Sequence, residues 1–350
     1  MRSEDRKEIK FGTRAVGDGH PCFVIAEIGA NHNRDLDKAR RLIDAAAEAK
    51  ADCVKFQTFL ADRHYSRFTP PVPGYDKPIH AIIQETEIDR TWLPQLKTMV
   101  EERDMIFMSS FGDLDALAIF ESLGAVGYKN TSAELSDVDL VRAMAATGKP
   151  VILSTGLADM NDIERALDAC RTVGNADVIL LQCTVAYPAP VDIIDLRAMA
   201  TMRETFGTLV GFSDHTMGYH VAAAAVALGA CVVEKHITLD RALPGPDHRF
   251  AMEPAEFRTL VQSIRDVEAA MGSDRKDGPR GAEKTVYDFA RRSLHAAKDI
   301  PKGTVLTEDM LCIKRPGYGI APYRKSEVLG KTVAANIVAD EWITWDRISG

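Results

Sequence analysis

The sequence predicts an α/β fold: a parallel (β/α)8 barrel followed by a small, mostly β domain. From residue 22 to about residue 271, strand-like and helix-like runs alternate eight times with short connections. The strand-like runs have β-branched cores and no hairpin signals between them, which favours a closed TIM-type barrel over an open sheet. After residue 271 the helical periodicity fades and turn residues become frequent, which indicates a second domain.

Each predicted strand is followed by an amphipathic segment in which apolar residues recur at intervals of three and four, as at 36–49, 114–124 and 160–174. One connection is much longer than usual, the Pro-rich stretch TPPVPGYDKP at 69–78. Two interpretations stay open for it: a functional lid or interaction surface, or an insertion without chemistry. The predicted strands span 22–29, 53–58, 106–110, 126–132, 151–156, 178–184, 209–216 and 231–238.

The predicted domains are a barrel at 1–271, a linker at 272–289 and a second domain at 290–350. The linker contains the polar, turn-rich stretch GSDRKDGPRGAEK at 272–284. The second domain is small for independent stability, so we expect it to pack on a partner surface.

Composition excludes several classes of function. The net charge is −8, the pI is near 5.7, and no Lys/Arg-rich run stands out, so neither nucleic acid nor a membrane surface is an expected partner. The longest apolar stretch is too short to span a bilayer, which predicts a cytoplasmic protein. The six cysteines are scattered without a CxxC pair, so we expect reduced thiols and no Cys-based zinc site.

Active sites of such barrels lie at the carboxyl ends of the strands, so polar residues there are candidates by position. Lys55 and Lys129 are predicted to point into the barrel, where an ammonium needs an anion. Either a neighbouring carboxylate or a ligand can supply it. The lysines together with rim hydroxyls suit a small molecule that carries phosphate and carboxylate groups. These hydroxyls belong to Ser110, Ser132, Ser154 and Ser213.

Histidines end two consecutive strands, His215 and His236, so both imidazoles could reach one divalent ion. The alternative is that each is a hydrogen-bonded structural residue. Glu134 and Glu27 are candidate general acids or bases, or else counter-ions of the lysines. In VVEKHIT at 232–238, strand alternation places Glu234 on the face of His236 and turns Lys235 towards the helices, which predicts a supporting role for both.

Several motifs, taken in order along nearly the whole chain, resemble the sialic acid synthase family, the nonulosonate synthases. The C-terminal segment, with KRPGYGI at 314–320, resembles that family's antifreeze-like SAF domain. The other matching motifs are AEIGANHN (26–33), VKFQT (54–58), YKNTSAE (128–134), STG (154–156), QCTVAYPAP (182–190), GFSDHTMG (211–218) and EKHITLDRALPGPDH (234–248).

The resemblance implies condensation of phosphoenolpyruvate (PEP) with an N-acetylmannosamine-type sugar, with release of phosphate. It implies Mn²⁺ or Mg²⁺ on His215 and His236, proton transfer by Glu134 with support from Glu27, and PEP contacts from the two lysines and the four serines. Gln57, Tyr187 and Asp247 match sugar-contacting positions. Arg315 matches an arginine that reaches the other subunit's sugar, which implies a domain-swapped homodimer.

The chain departs from the family pattern at Arg34, Asn130-Thr131, Ala133 and Val185, which leaves the sugar open. GPDH at 245–248 favours the sialic and legionaminic branch, with N-acetylmannosamine or a 2,4-diacetamido-6-deoxy sugar as substrate. Two other functions stay open: a metal-free aldolase that forms a Schiff base on Lys129 or Lys55, and a non-catalytic carbohydrate-binding protein.

Overall fold

The computed structural model describes residues 7–69 and 77–349. In that part of the chain, an eight-stranded, all-parallel sheet forms a nearly closed barrel, so the predicted fold is confirmed. Its strands are β3 (Phe23–Gly29), β4 (Cys53–Gln57), β5 (Ile106–Ser110), β6 (Tyr128–Asn130), β7 (Val151–Ser154), β8 (Val178–Cys183), β9 (Leu209–Asp214) and β10 (Val232–His236). The other strands are β1 (Glu8–Phe11), β2 (Arg14–Gly17), β11 (Ser293–Ala296), β12 (Leu311–Lys314), β13 (Thr332–Val333) and β14 (Ile348–Ser349).

Helices alternate with the barrel strands, and several begin at an aspartate whose side chain accepts backbone N–H groups, as Asp35, Asp113 and Asp159 do. The helices up to the end of the barrel are α1 (Leu36–Glu48), α2 (Ala61–His64), α3 (Ile79–Thr86), α4 (Leu93–Glu101), α5 (Leu114–Ser122), α6 (Val138–Ala146), α7 (Met160–Thr172), α8 (Ala198–Phe206), α9 (His220–Ala227) and α10 (Pro254–Met271). Two more follow, α11 (Glu283–Ala290) and α12 (Lys325–Val328).

Strand pairing runs β5-β4-β3-β10-β9-β8-β7-β6, so the first and last predicted barrel strands are neighbours. The register pairs His236 with Glu27 and Glu27 with Lys55 across β10, β3 and β4. Three polar residues from distant parts of the sequence therefore lie at the same level of the barrel.

Two apolar layers enclose the barrel wall. Val54 and Phe56 pack outward in the layer between strands and helices, whereas Cys53 belongs to the cluster inside the barrel. This alternation turns Lys55 inward, as the period of two predicts.

The amino end of the barrel interior is covered by a feature that sequence reasoning missed. β1 and β2 form an antiparallel hairpin around Gly12, and its Ile9, Phe11 and Val16 join the interior cluster. Phe11 stacks on Phe23 with ring centroids 5.5 Å apart. The signal was present as two short alternating runs on either side of Gly12-Thr13.

The chain divides into two compact units, Met1–Gly272 and Ser273–Gly350. The second has its own apolar core around Leu294, Ile320 and Ile343, with short antiparallel strand pairs. The eight-residue helix α11 forms in the segment that the sequence suggested was a linker.

Residues 70–76 of the Pro-rich segment at 69–78 lie outside the described residues. The two interpretations of this segment therefore stay predictions. No helix among the described residues is long and apolar enough to cross a membrane.

Candidate active site

A cavity of about 280 Å³ lies at the carboxyl ends of the barrel strands. The barrel topology directs strand-end side chains to this place, so residues far apart in sequence meet there. Most of the side chains that the sequence predicts to be functional line it. They are Glu27, Lys55, Gln57, Lys129, Ser132, Glu134, Ser154, Tyr187, Ser213, His215, His236 and Asp247.

Lys55 on β4 is buried in the cavity wall between two carboxylates and a hydroxyl. Its Nζ lies 2.9 Å from Glu27 Oε2 and 3.6 Å from Glu234 Oε1. It also donates a 3.0 Å hydrogen bond to Ser110 Oγ on β5. The structure therefore shows the carboxylate alternative, and because the lysine also faces the cavity, the ligand alternative stays a prediction.

Lys129 on β6 is the second buried cation that faces the cavity. It donates to Ser154 Oγ at 2.7 Å and lies 3.8 Å from Glu234 Oε2. Ser213 Oγ donates to Glu234 Oε1 at 3.4 Å. Glu234 thus lies between the two lysines, a more central place than the supporting role that the sequence suggested.

Burial and mutual attraction set the pKa values of these four groups. Burial raises the pKa of Glu27 to about 7, against the influence of Lys55. Burial acts on Glu234 in the same sense, but the two lysines outweigh it and its pKa is lowered. Burial opposes the charge of Lys55, but Glu234 and Glu27 outweigh it and raise the pKa of Lys55. At Lys129 burial is the stronger influence and lowers the pKa of that lysine. Because Glu27 is partly protonated near neutral pH, the positive charge of the two lysines is not fully neutralised and can attract an anion.

The imidazoles of His215 and His236 lie side by side, with ring centroids 5.5 Å apart. His215 Nδ1 lies 2.9 Å from the Thr184 carbonyl, which accepts its proton and leaves Nε2 as the acceptor nitrogen. His236 Nδ1 is buried without a hydrogen-bond partner among the described residues, and it lies 3.8 Å from Asp247 Oδ2. Burial and His215 lower the pKa of His236 well below its ordinary value, so this imidazole stays neutral.

These donors fit a divalent ion in their chemistry, with two imidazoles beside a carboxylate. Burial raises the pKa of Asp247 to about 6. Within residues 7–69 and 77–349, no group of three or more His, Cys, Asp and Glu side chains is clustered as around a metal ion. The metal is therefore a proposal that rests on His215, His236 and the unpartnered His236 Nδ1.

The predicted sugar-contacting residues lie on both sides of the imidazoles. Gln57 Nε2 donates to Glu27 Oε1 at 2.8 Å. The Tyr187 ring packs 4.5 Å from the His215 ring, and the buried Phe250 packs against both. Phe250 is a residue that sequence reasoning missed, since a lone phenylalanine in a loop carries no signal of its own.

Glu134, in the loop after β6, lines the cavity close to Ser132. The Ser132 hydroxyl accepts the Gly156 N–H at 3.0 Å, which ties this loop to the end of β7. The Glu134 side chain is held by a residue that the sequence did not single out, since His64 Nε2 lies 2.8 Å from its Oε1.

One wall of the cavity is apolar. Ile79, Ile82 and Ile83 of α3 line it. Arg34, a departure from the family pattern, adopts a left-handed φ of 54° and donates to the Gln84 carbonyl of α3 at 3.3 Å. Three other departures, Thr131, Ala133 and Val185, are themselves lining residues.

Two predicted site residues do not line the cavity. Ser110 is buried behind Lys55 as its hydrogen-bond partner. Arg315 belongs to the second unit, where it is exposed and makes no hydrogen bond or ion pair with another described residue. Lys235 points away from the cavity and pairs with Asp214 at 2.7 Å, as strand alternation predicts.

The fold and this cavity define the class of the protein: a (β/α)8-barrel protein whose strand-end lysines, carboxylates and imidazoles form one polar site. Its sequence matches the NeuB family model over residues 42–276 and the SAF domain model over residues 291–349. The chain belongs to the NeuB family, the nonulosonate or sialic acid-type synthases, so the predicted family and the predicted C-terminal domain are confirmed.

Among its relatives is the N,N'-diacetyllegionaminic acid synthase of Campylobacter jejuni, 38% identical over 92% of this chain and 98% of that protein. Another is the N,N'-diacetyllegionaminic acid synthase of Legionella pneumophila, 37% identical over 96% of this chain and 97% of that protein. A crystal structure of N-acetylneuraminic acid synthetase from Leptospira borgpetersenii, in complex with citrate, superposes with a TM-score of 0.73. It is 31% identical and covers 81% of this chain and 96% of that one.

Proposed function

We propose that this chain is a metal-dependent transferase that condenses PEP with an N-acetylated mannosamine-type sugar, yielding a nine-carbon α-keto acid and phosphate. The observation that carries the proposal is the convergence of Lys55 and Lys129 on one cavity beside the two imidazoles. PEP carries a phosphate and a carboxylate, and two ammonium groups with serine hydroxyls can hold both.

Lys55 and Lys129 bind and orient PEP, and Ser154 and Ser213 add O–H donors. Ser110 acts through Lys55, since its hydroxyl accepts a hydrogen bond from the ammonium. His215 and His236 would hold Mn²⁺ or Mg²⁺, which supplies Lewis-acid polarisation of the sugar aldehyde when it is bound.

The reaction forms a bond between C3 of PEP and the aldehyde carbon, and water then adds at C2. The bond between C2 and the oxygen that bridges to phosphorus then breaks as the ketone forms. The two protons of the water end on the new hydroxyl and on the phosphate. Glu134, which lines the cavity, is the residue that transfers protons in these steps. Glu27, with its pKa of about 7, supports this proton transfer.

The sugar is proposed to be a 2,4-diacetamido-6-deoxy mannose-type compound. The apolar wall of Ile79, Ile82 and Ile83 suits a methyl and an additional acetamido group better than polar hydroxyls. Two relatives named as N,N'-diacetyllegionaminic acid synthases support this choice. Comparing kcat/KM for this sugar with that for N-acetylmannosamine tests it, and a preference for the latter would reverse the assignment.

Arg315 is proposed to contact the N-acyl group of a sugar bound in the partner subunit of a domain-swapped homodimer. Its exposed guanidinium is available for such a contact, because no described residue engages it.

The experiment that tests the reaction is a phosphate-release assay with PEP, sugar and Mn²⁺, each omitted in turn. Phosphate should appear only when all three are present. The competing Schiff-base aldolase would keep its activity in EDTA, and borohydride would trap substrate on Lys129 or Lys55. A non-catalytic sugar-binding protein would release no phosphate in any mixture.

A further inference from the structure

We propose that His64 is a positioning residue that orients Glu134 for proton transfer, a role that rests on the reaction proposed above. His64 is the last residue of α2, and its Nε2 lies 2.8 Å from Glu134 Oε1. The imidazole is 15% exposed and the carboxylate 6%, so the contact is largely shielded from water.

The contact engages one oxygen of the carboxylate and leaves the other one unengaged. Glu134 Oε2 is buried and has no hydrogen-bond partner among the described residues, although the residue lines the cavity. A buried carboxylate oxygen without a partner is unfavourable unless a ligand or water uses it. A carboxylate fixed through one oxygen presents the other to the reacting atoms, as the third group of a triad orients its base.

The imidazole is itself fixed by its surroundings. Its ring stacks on Phe59 with centroids 4.4 Å apart, and Tyr65 meets its edge at 4.8 Å. Gly112 leaves room for it, since a Cβ at that position would lie 2.2 Å from His64 Nδ1. Three neighbours thus hold the ring in one orientation, as a group that must aim a carboxylate requires.

The hydrogen bond also defines which oxygen of Glu134 takes part in proton transfer. His64 donates to Oε1, so Oε2 is the oxygen that accepts a proton from a water molecule. Glu134 takes the water proton and later returns it to the departing phosphate. His64 keeps its own Nε2 proton throughout.

The first test compares His64→Phe, which retains the stack on Phe59 but cannot donate, with His64→Gln, which offers an amide N–H. We expect His64→Phe to lower kcat about 10- to 100-fold with little change in the KM of PEP, as loss of an orienting partner does. His64→Gln should recover most of the loss. A purely structural role predicts no difference between the two variants at equal folded fraction, and that result would overturn the proposal.

Gly112→Ala provides an independent route to the same effect. The added methyl displaces the His64 ring without removing the imidazole or changing a cavity-lining residue. We expect it to lower kcat in the same direction as His64→Phe. Combining it with His64→Phe should add nothing further, and additive losses would contradict the assignment.

A readout that a structural role would not separate is the division of the effect between kcat and KM. His64→Phe and Gly112→Ala should lower kcat and leave the KM of PEP near its wild-type value, and a rise in KM as large as the fall in kcat would contradict the proposal. The matched control is His20→Phe, which deletes a 2.6 Å His–Glu contact with Glu8 on the hairpin. This control should leave both kcat and the KM of PEP unchanged.

The two proposals fail in different ways. If the wild type releases no phosphate from PEP with any sugar, the proposed reaction is wrong. If phosphate release occurs but His64→Phe and His64→Gln have the same kcat, the positioning role is wrong and the reaction stands.

Discussion

Lys55 Nζ lies 2.9 Å from Glu27 Oε2, across the paired strands β4 and β3 inside the barrel. The lysine is therefore held as an ammonium before any ligand enters. Its carboxylate partner is partly protonated near neutral pH, because burial raises the pKa of Glu27 to about 7. A dianionic ligand that reaches this ammonium gains a contact without first having to order the side chain.

Lys55→Met should weaken PEP binding more than sugar binding. Truncating one partner of a buried charge contact costs about 2–5 kcal/mol, so we expect the KM for PEP to rise by a factor of about 30 or more. Steady-state titration of PEP at saturating sugar measures it. Lys10→Met, on the hairpin, is the surface control. An unchanged KM for PEP in a folded Lys55→Met variant would remove the lysine from the PEP site.

His236→Ala should abolish metal-dependent turnover and leave a folded protein. Half of the proposed imidazole pair is lost, and with it the nitrogen that lacks a partner among the described residues. Calorimetric titration with Mn²⁺ should show binding to the wild type and to His220→Ala, an exposed-histidine control, but not to His236→Ala. Wild-type rates in His236→Ala would refute the metal role.

Arg315→Ala should raise the KM of the sugar far more than that of PEP. Its sharper test mixes Arg315→Ala with His236→Ala after joint unfolding and refolding. In a domain-swapped dimer, the intact barrel of one chain receives the intact arginine of the other, so at low sugar concentration the mixture should be more active than either variant alone. Absence of recovery in verified heterodimers, or equal effects on both KM values, counts against a cross-subunit contact.

The stability of the barrel should fall as the pH drops from about 6.5 towards 4. The pKa of His32 is lowered to about 4, from 6.5 for a free imidazole. Burial is the main cause, and the charge of Arg34 adds to it. Between those values the unfolded chain binds a proton at this residue that the folded chain does not, so acid favours unfolding. In His32→Asn, the amide oxygen can replace the Nδ1 acceptor of the Arg34 N–H.

Urea unfolding of wild type and His32→Asn at several pH values measures this contribution. The stability of the wild type relative to the variant should decrease with acidification through this window. The stability of the wild type relative to the exposed-histidine variant His220→Asn should show no such trend. A wild-type advantage that is constant with pH would show that folding does not lower the pKa of His32.

Much of the barrel was predictable because strand-end positions follow from periodicity. The period of two turns Lys55 inward and Lys235 outward, and the order of strands makes His215 and His236 neighbours. The family resemblance, rather than spacing, supplied the role of Arg315 and the choice of Glu134 among the candidate acids and bases. The hairpin around Gly12 was missed because its strands are only four residues each, among charged residues.

Other features depend on contacts that no local pattern encodes. His64 meets Glu134 across 70 residues of sequence, and the relevant clue, a glycine at 112 that makes room for the ring, is visible only in three dimensions. Glu234 gains its central place because β10 closes the barrel next to β3, which sets its carboxylate between two lysines from other strands. Helix α11 formed where polar, turn-rich sequence indicated a linker.

The most direct measurement of the central claim uses PEP labelled with ¹⁸O in the oxygen that bridges C2 and phosphorus, together with Mn²⁺ and the diacetamido sugar. The account predicts that phosphate is released only when sugar is present, that the phosphate carries the ¹⁸O, and that a nine-carbon keto acid forms in equal amount. Phosphate without the label, or phosphate released at the same rate without sugar, would contradict it.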